Sequence, residues 1–138
     1  MANLFYTLLF LWYSLIFFEI PLLTTDGQAG LISIYGLLEL FLVIILVGSL
    51  LRWEYIHYFA LIVFGFWGYL QFNSNWKYLF IDSSEEKIQS YYQYFDNTLR
   101  IFPESETTII PDAYHMILGV LILINIILAT RKIIIKFI

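Results

Sequence analysis

Four long apolar runs occupy most of this 138-residue chain, at positions 4–23, 29–51, 55–76 and 113–130. As an α-helix, each run is long enough to cross the roughly 30 Å hydrocarbon core of a lipid bilayer. Hydrophobic residues make up 61% of the chain and charged residues 13%, against ~25% charged residues in soluble domains. A soluble domain of this length could not bury so much apolar surface. The sequence therefore predicts an all-α integral membrane protein, with residues 1–138 forming one four-transmembrane-helix bundle.

The first apolar run also resembles the hydrophobic part of a secretory signal peptide. However, no basic segment precedes it, and no small-x-small cleavage site follows it. We therefore expect it to be retained as a true membrane span. Pro21 is expected to end or bend this helix near its outer end, because proline cannot continue an α-helix.

Basic residues give the predicted orientation, because Lys and Arg are concentrated in cytoplasmic loops. Arg52 lies between the second and third runs, and Arg131, Lys132 and Lys136 follow the fourth. Segment 77–112 instead holds seven acidic and three basic residues. We expect a multi-pass protein of the plasma membrane, with both termini cytoplasmic and segment 77–112 extracellular. An organelle membrane with that segment in the lumen satisfies the same rule.

Segment 77–112 contains a stripe of apolar side chains with helical spacing, formed by Ile88, Tyr91, Tyr92, Phe95, Leu99 and Phe102. The stripe predicts an additional amphipathic extracellular helix between the third and fourth spans. Ser83 and Glu86 resemble a capping box at its start, and Pro103 would close it. In one interpretation the aromatic face rests on lipid or on the bundle. In the other, Tyr91, Tyr92 and Phe95 form a lid over a cavity or a docking surface for another protein.

Ionisable groups inside a membrane span are costly and are therefore functional candidates. Glu39 is ten residues into its run, about 15 Å along a helix axis and near the midplane. No Lys or Arg lies at its depth, so we expect its carboxyl group to be neutral or bonded to Tyr35 or to a buried water. Glu19 and His115 belong to the outer third, which makes all three candidates for acid/base catalysis.

Small and polar side chains that share one helical face mark the side turned towards other helices. On this ground the ligand-binding candidates within the spans are Tyr35, Gly36, Gln71 and Asn125. The stripes that carry them, including Gly65 and Gly68 on the third helix and Gly119 on the fourth, are expected to point into the bundle. His57 belongs near the cytoplasmic end and is interpreted as a head-group-level residue.

Several kinds of chemistry are disfavoured. The chain has no cysteine, and its net charge of −4 argues against nucleic acid as a partner. No phosphate-binding loop or nucleophile motif occurs. His57 and His115 lie towards opposite membrane faces, so a shared haem or metal ion is not expected. We therefore predict no metal and no cofactor.

The preferred functional hypothesis is a small membrane protein that acts by binding, through its outer segment and the outer half of the bundle. It would be an accessory or immunity-type subunit with a membrane or extracellular protein partner, or a binder of an apolar small molecule or lipid. The alternative is an isomerase-like intramembrane enzyme, with Glu39 as general acid/base and Glu19 or His115 assisting. A third hypothesis is an oligomeric transporter or channel subunit.

Overall fold

A computed structural model describes residues 2–18, 20–23 and 32–137 of the chain. Within these ranges the fold is all-helical, as predicted, and contains no β-strand. The α-helices are α1 (Ala2–Ser14), α2 (Ile34–Leu50), α3 (Ile56–Ser74), α4 (Glu85–Tyr94) and α5 (Ala113–Phe137). Short 3-10 turns follow α1 at Leu15–Phe17 and α3 at Trp76–Leu79.

The four longer helices contact one another in a closed ring. Helix α1 packs against α2 and α5, and α3 packs against the same two helices, with the α3–α5 contact the most extensive. The interior of the ring is filled with aromatic and aliphatic side chains that are almost completely buried, including Tyr6, Leu9, Tyr13, Ile45, Phe64, Leu118 and Ile122. Interlocking large side chains therefore hold the ring together.

The outward faces of the same helices are apolar as well. Along the middle turns, the exposed side chains are large hydrophobic ones, including Leu4, Leu8, Leu11, Leu40, Val43, Val47, Ile62, Phe66, Leu123 and Ile127. A water-soluble monomer rarely exposes a continuous apolar surface of this extent. The helices thus lack the polar outer face that would border on water.

One described helix is both long and apolar enough to cross a membrane, within α5 over Ala113–Lys136, where the mean hydropathy reaches 2.2. The apolar helices Ala2–Phe17 and Ile34–Leu50 are shorter. Helix α5 also continues beyond residue 130, where the fourth apolar run ends, and includes the basic residues that follow that run.

The first helix is shorter than the run 4–23 predicts. Its helical turns end at Phe17, and Phe18 is extended, with φ −119° and ψ 141°. The described residues 20–23 that follow are not helical. Leu22, with a positive φ of 67°, instead accepts a hydrogen bond of 2.6 Å at its carbonyl from the Leu99 N–H. Residues 24–31, which connect the first two apolar runs and include the start of the second, lie outside the described residues.

The amphipathic helix of the outer segment is also shorter than predicted. Helix α4 ends at Tyr94, because the Phe95 carbonyl accepts hydrogen bonds from Thr98 and Arg100 instead of from a continuing helix. The predicted capping box is wrong. The N-cap residue is Ser84. The Ser83 N–H instead donates a hydrogen bond of 2.9 Å to the Thr107 carbonyl.

Candidate functional site

The carboxyl group of Glu39 lies between α2 and α1, where Ser14 is its hydrogen-bond partner. Glu39 Oε1 and Ser14 Oγ are 2.5 Å apart, and Ser14 Oγ also lies 2.8 Å from the Phe10 carbonyl oxygen. The expected hydrogen bond between Glu39 and Tyr35 is not formed, since the carboxyl group pairs with Ser14 and Tyr35 is 44% exposed. Glu39 Oε2 is buried and has no hydrogen-bond partner among the described residues.

The single hydrogen of the Ser14 hydroxyl relates its two contacts to the protonation state of Glu39. A serine hydroxyl carries one hydrogen, whereas a carbonyl oxygen can only accept. With an ionised Glu39, the Phe10 carbonyl and the carboxylate share that hydrogen. With a protonated Glu39, the carboxyl group can donate to Ser14 Oγ while Ser14 donates to Phe10, so the neutral form would satisfy both contacts at once.

Near this carboxyl group, aromatic side chains donate hydrogen bonds to backbone carbonyls and so link three helices. The Tyr13 hydroxyl donates to the Tyr35 carbonyl at 3.1 Å, and the Tyr114 hydroxyl donates to the Tyr13 carbonyl at 3.2 Å. Trp12 Nε1 donates to the Tyr114 carbonyl, and its indole stacks on the Tyr114 ring at 5.8 Å. Tyr13 in turn meets the Trp67 ring edge-on at 4.7 Å. These contacts tie α1, α2, α3 and α5 together beside Glu39.

His115 forms a tight pair with Asp112 at the start of α5. Its Nδ1 lies 2.9 Å from Asp112 Oδ2, and its backbone N–H donates to Asp112 Oδ1 at 2.9 Å. Asp112 is 1% exposed, and the bond from the His115 N–H to its carboxylate caps the start of α5. The pair fixes the imidazole ring and leaves Nε2 as the ring atom available to another group.

The aromatic face of α4 covers this end of α5. Phe95 meets the His115 ring at 5.5 Å and the Tyr91 ring at 4.6 Å. Burial, followed by the negative charge of Asp112, raises the pKa of Tyr91 above its ordinary value. Three of the predicted ligand-binding residues, Tyr91, Tyr92 and Phe95, are thus packed against the protein itself.

Tyr92 organises the rest of the outer segment. Its hydroxyl accepts hydrogen bonds from the Ser105 and Ile110 N–H groups at 3.1 and 3.3 Å and donates to the Thr108 carbonyl at 3.2 Å. The Arg100 guanidinium lies 4.5 Å from the centre of the Tyr92 ring and pairs with Glu104. We refer to residues 84–112, held together in this way, as the outer cap.

A groove of about 250 Å³ runs along the α3–α5 contact, which we call the α3–α5 groove. It is lined almost entirely by apolar side chains and glycines, and its main lining residues are Gly65, Gly68, Tyr69, Phe72, Trp76, Gly119, Ile122 and Ile126. Trp76 lies directly over Gly119, so close that a Cβ atom there would be 2.5 Å from Trp76 Nε1. At Gly65, by contrast, a Cβ atom would meet nothing within 4 Å.

The polar end of the α3–α5 groove is formed by Gln71, whose Oε1 accepts a hydrogen bond from Asn75 Nδ2 at 2.9 Å. No described residue accepts a hydrogen bond from Gln71 Nε2. Contrary to expectation, the face carrying Gly65, Gly68 and Gln71 does not point into the ring of helices. It lines a groove between two of them, because the small residues leave space that α5 does not fill.

The remaining predicted site residues lie apart from this arrangement. Asn125 is completely buried and donates to the Leu121 and Phe5 carbonyls, which joins α5 to α1. Gly36 contributes its N–H to the Ser33 cap of α2 at 3.5 Å. His57 Nδ1 lies 3.1 Å from the Tyr6 hydroxyl. Glu19 lies outside the described residues.

Two residues of the site were missed by sequence reasoning, Ser14 and Trp76. A serine inside an apolar run is a usable signal, because its hydroxyl must find a partner there. The position of Trp76 over α5 has no counterpart in the sequence. Within the described ranges, no group of three or more His, Asp or Glu side chains is arranged to hold a metal ion.

No protein-family model, curated protein or solved structure matches this chain. Its function is therefore argued from the geometry of the groove and of the buried polar groups.

Proposed function

We propose that this chain is a four-span membrane protein that binds the hydrocarbon chain of a lipid-like ligand in the α3–α5 groove. The observation that carries the proposal is the α3–α5 groove itself. It is lined by apolar side chains, and the Gln71 Nε2 beside it has no hydrogen-bond acceptor among the described residues. Its position near the start of α5 corresponds to the outer half of the predicted bundle.

The apolar outer surface supports the placement in a membrane. Only 22% of the most apolar 18-residue window of α5 is buried, whereas the core helix of a soluble protein is mostly buried. Helices α2 and α3 contain 17 and 19 residues, or roughly 25 to 28 Å at ~1.5 Å per residue. Both lengths approach the ~30 Å hydrocarbon core.

The distribution of charge supports the orientation. Arg52, Lys132 and Lys136 meet at one end of the ring of helices. The outer cap, at the other end, carries Glu85, Glu86 and further acidic residues. Under the positive-inside rule the basic end faces the cytoplasm.

The shape and lining of the α3–α5 groove support a slender apolar ligand. Its volume of about 250 Å³ is slightly below the ~300 Å³ at which pockets for drug-sized molecules begin. Tyr69 and Phe72 are exposed beside it on α3, so a chain can enter from the side that we place in lipid. The Gln71 amide can then donate to an ester or carboxyl oxygen.

The proposal is tested by photolabelling the full chain in nanodiscs with a phosphatidylcholine that carries a diazirine in its acyl chain. We expect adducts, mapped by mass spectrometry, to concentrate on 69–72 and 119–126. Gly65→Leu should remove most of them, because leucine fills the groove without a backbone clash. Phe66→Leu, on the exposed face of the same helix, is the matched control. Adducts spread evenly over all four helices, or unchanged by Gly65→Leu, would contradict the proposal.

A second candidate function is acid/base catalysis on an apolar substrate. It is favoured by the carboxyl group of Glu39. Its Oε2 is buried and has no partner among the described residues, and its Oε1 is hydrogen-bonded to the Ser14 hydroxyl. Substrate conversion that is lost in Glu39→Gln, while expression and ligand binding are kept, would support this function. Unchanged conversion would remove Glu39 from the mechanism.

A further inference from the structure

A second cavity, of about 500 Å³, lies at the opposite end of the protein from the outer cap. It is enclosed by the first turn of α1, the connection between α2 and α3, and the last turns of α5. The side chains that matter for its chemistry are Asn3, Arg52, Trp53, Glu54, Lys132 and Lys136. We call it the basic cavity.

The basic cavity has more positive charge than its own carboxylate can neutralise. Lys136 Nζ lies 2.7 Å from Glu54 Oε1, so these two charges are paired with each other. Arg52 and Lys132 have no carboxylate partner in the part of the chain that the structure describes. Two cations that face one cavity without a counter-ion attract an anion.

The backbone at Arg52 adds an independent observation. Arg52 has a positive φ of 57° and follows the last turn of α2, while the Trp53 N–H donates to the Gly48 carbonyl at 2.8 Å. This is the helix-terminating motif in which glycine is the usual residue, because a side chain is disfavoured in the left-handed region. Arginine therefore stands where local folding would favour glycine, as is typical of residues kept for function.

An adjoining cavity of about 210 Å³ extends the basic cavity along a lining that is part cationic and part aliphatic. It shares Ala2 and Lys132 with the basic cavity and is also lined by Leu128, Arg131 and Ile135. A ligand held by Arg52 and Lys132 can thus continue along aliphatic side chains. Trp53 is 51% exposed at the mouth of the basic cavity, and tryptophan favours the depth of lipid head groups.

We propose that the basic cavity binds the phosphate group of an anionic phospholipid, whose acyl chain lies along Leu128 and Ile135. The phosphate oxygens accept hydrogen bonds from Arg52 and Lys132. The Asn3 side chain, whose Oδ1 accepts from Ser49 Oγ at 2.6 Å, retains its amide group for a further donation. This inference rests on the proposed membrane location, but it does not depend on a ligand in the α3–α5 groove.

The test measures binding to the full chain in neutral detergent by native mass spectrometry. The probes are dioctanoylphosphatidylglycerol, the zwitterionic dioctanoylphosphatidylcholine of equal chain length, and soluble glycerol 3-phosphate. We expect the anionic lipid to bind about tenfold more tightly than the zwitterionic one, because the choline cation of the latter is repelled by Arg52 and Lys132 although both lipids carry the same phosphate. Arg52→Gly and Lys132→Gln should each weaken its binding about tenfold, whereas Lys77→Gln, at the other end of the protein, should not.

The thermal stability of Arg52→Gly separates binding from folding. Because glycine suits the left-handed conformation, this variant should unfold at an equal or higher temperature while it loses the anionic lipid. Equal binding of the two lipids, or lipid binding unaffected by Arg52→Gly and Lys132→Gln, would overturn the proposal. Glycerol 3-phosphate binding as tightly as the anionic lipid would show a site for soluble phosphate. Failure here leaves the photolabelling at Gly65 unaffected, so the two proposals fail separately.

Discussion

At the residue scale, the chain places few polar side chains among its helices and gives nearly all of them a partner. Glu39 has Ser14, His115 has Asp112, His57 has Tyr6, and Asn125 has two backbone carbonyls. In a dry environment an unpartnered polar group costs about 1–3 kcal/mol. Among the described residues, five buried side-chain atoms lack a partner: Glu39 Oε2, Ser83 Oγ, Tyr91 Oη, Arg100 Nε and Asn125 Oδ1. Glu39 Oε2 and Asn125 Oδ1 lie within the ring of helices, so they call for a function or a bound water.

The expectation that Glu39 is neutral leads to a prediction about two substitutions. Glu39→Gln keeps the size of the side chain and a donor to Ser14 Oγ, so the free energy of unfolding should change by less than ~0.5 kcal/mol. Ser14→Ala leaves the carboxyl group without its partner and should lower that free energy by about 1–3 kcal/mol. Thermal unfolding in detergent measures both, with the exposed Ser90→Ala on α4 as the control. A Glu39→Gln variant as unstable as Ser14→Ala would indicate that the carboxyl group is ionised.

At the scale of elements, the sequence locates the helices better than it locates their ends. The apolar runs at 29–51, 55–76 and 113–130 each contain a long helix, because apolar surface and helix propensity are local properties. The end of α1 was predicted too late, because the chain after it pairs with a distant segment, Leu22 with Thr98. The end of α4 was also predicted too late, because Thr98 and Arg100 donate to the Phe95 carbonyl in a turn that the apolar spacing does not reveal.

The outer cap provides a prediction at this scale. Tyr92→Phe removes a hydroxyl that serves the Ser105 and Ile110 N–H groups and the Thr108 carbonyl. The loss should destabilise the cap by about 1–3 kcal/mol, because the N–H groups lose their acceptor. We expect faster amide hydrogen exchange over 103–110 without a change in α3 or α5. Tyr94→Phe, on an exposed tyrosine, is the matched control. Equal exchange in the two variants would show that aromatic packing alone holds the cap.

At the scale of the whole molecule, the distribution of apolar and charged side chains over the surface is the basis for the proposed membrane environment. The middle turns of the four long helices expose apolar side chains, one end gathers cations, and the other carries the acidic outer cap. This arrangement matches a bilayer, with hydrocarbon around the middle and water at both ends. In the proposed membrane, the α3–α5 groove and the basic cavity would open at two different depths.

The membrane orientation can be tested by single-cysteine labelling, since the chain contains no cysteine of its own. In intact cells a membrane-impermeant maleimide should label Ser90→Cys in the outer cap but not Lys136→Cys at the end of α5. Permeabilisation should expose the second site, while a cysteine at Ile62 should stay unlabelled in both cases. Labelling of Ser90→Cys and Lys136→Cys on the same side would contradict the four-span topology.

Sequence alone determined the all-helical class, the approximate places of the long helices and the identity of the rare polar residues, because each depends on composition and local periodicity. Only the tertiary structure decided which of these residues meet. It paired Glu39 with Ser14 instead of Tyr35, turned the glycine face of α3 towards a groove, and folded the outer cap around Tyr92. The physical reason is that these contacts join residues far apart in the chain, and their geometry depends on how large side chains interlock between helices.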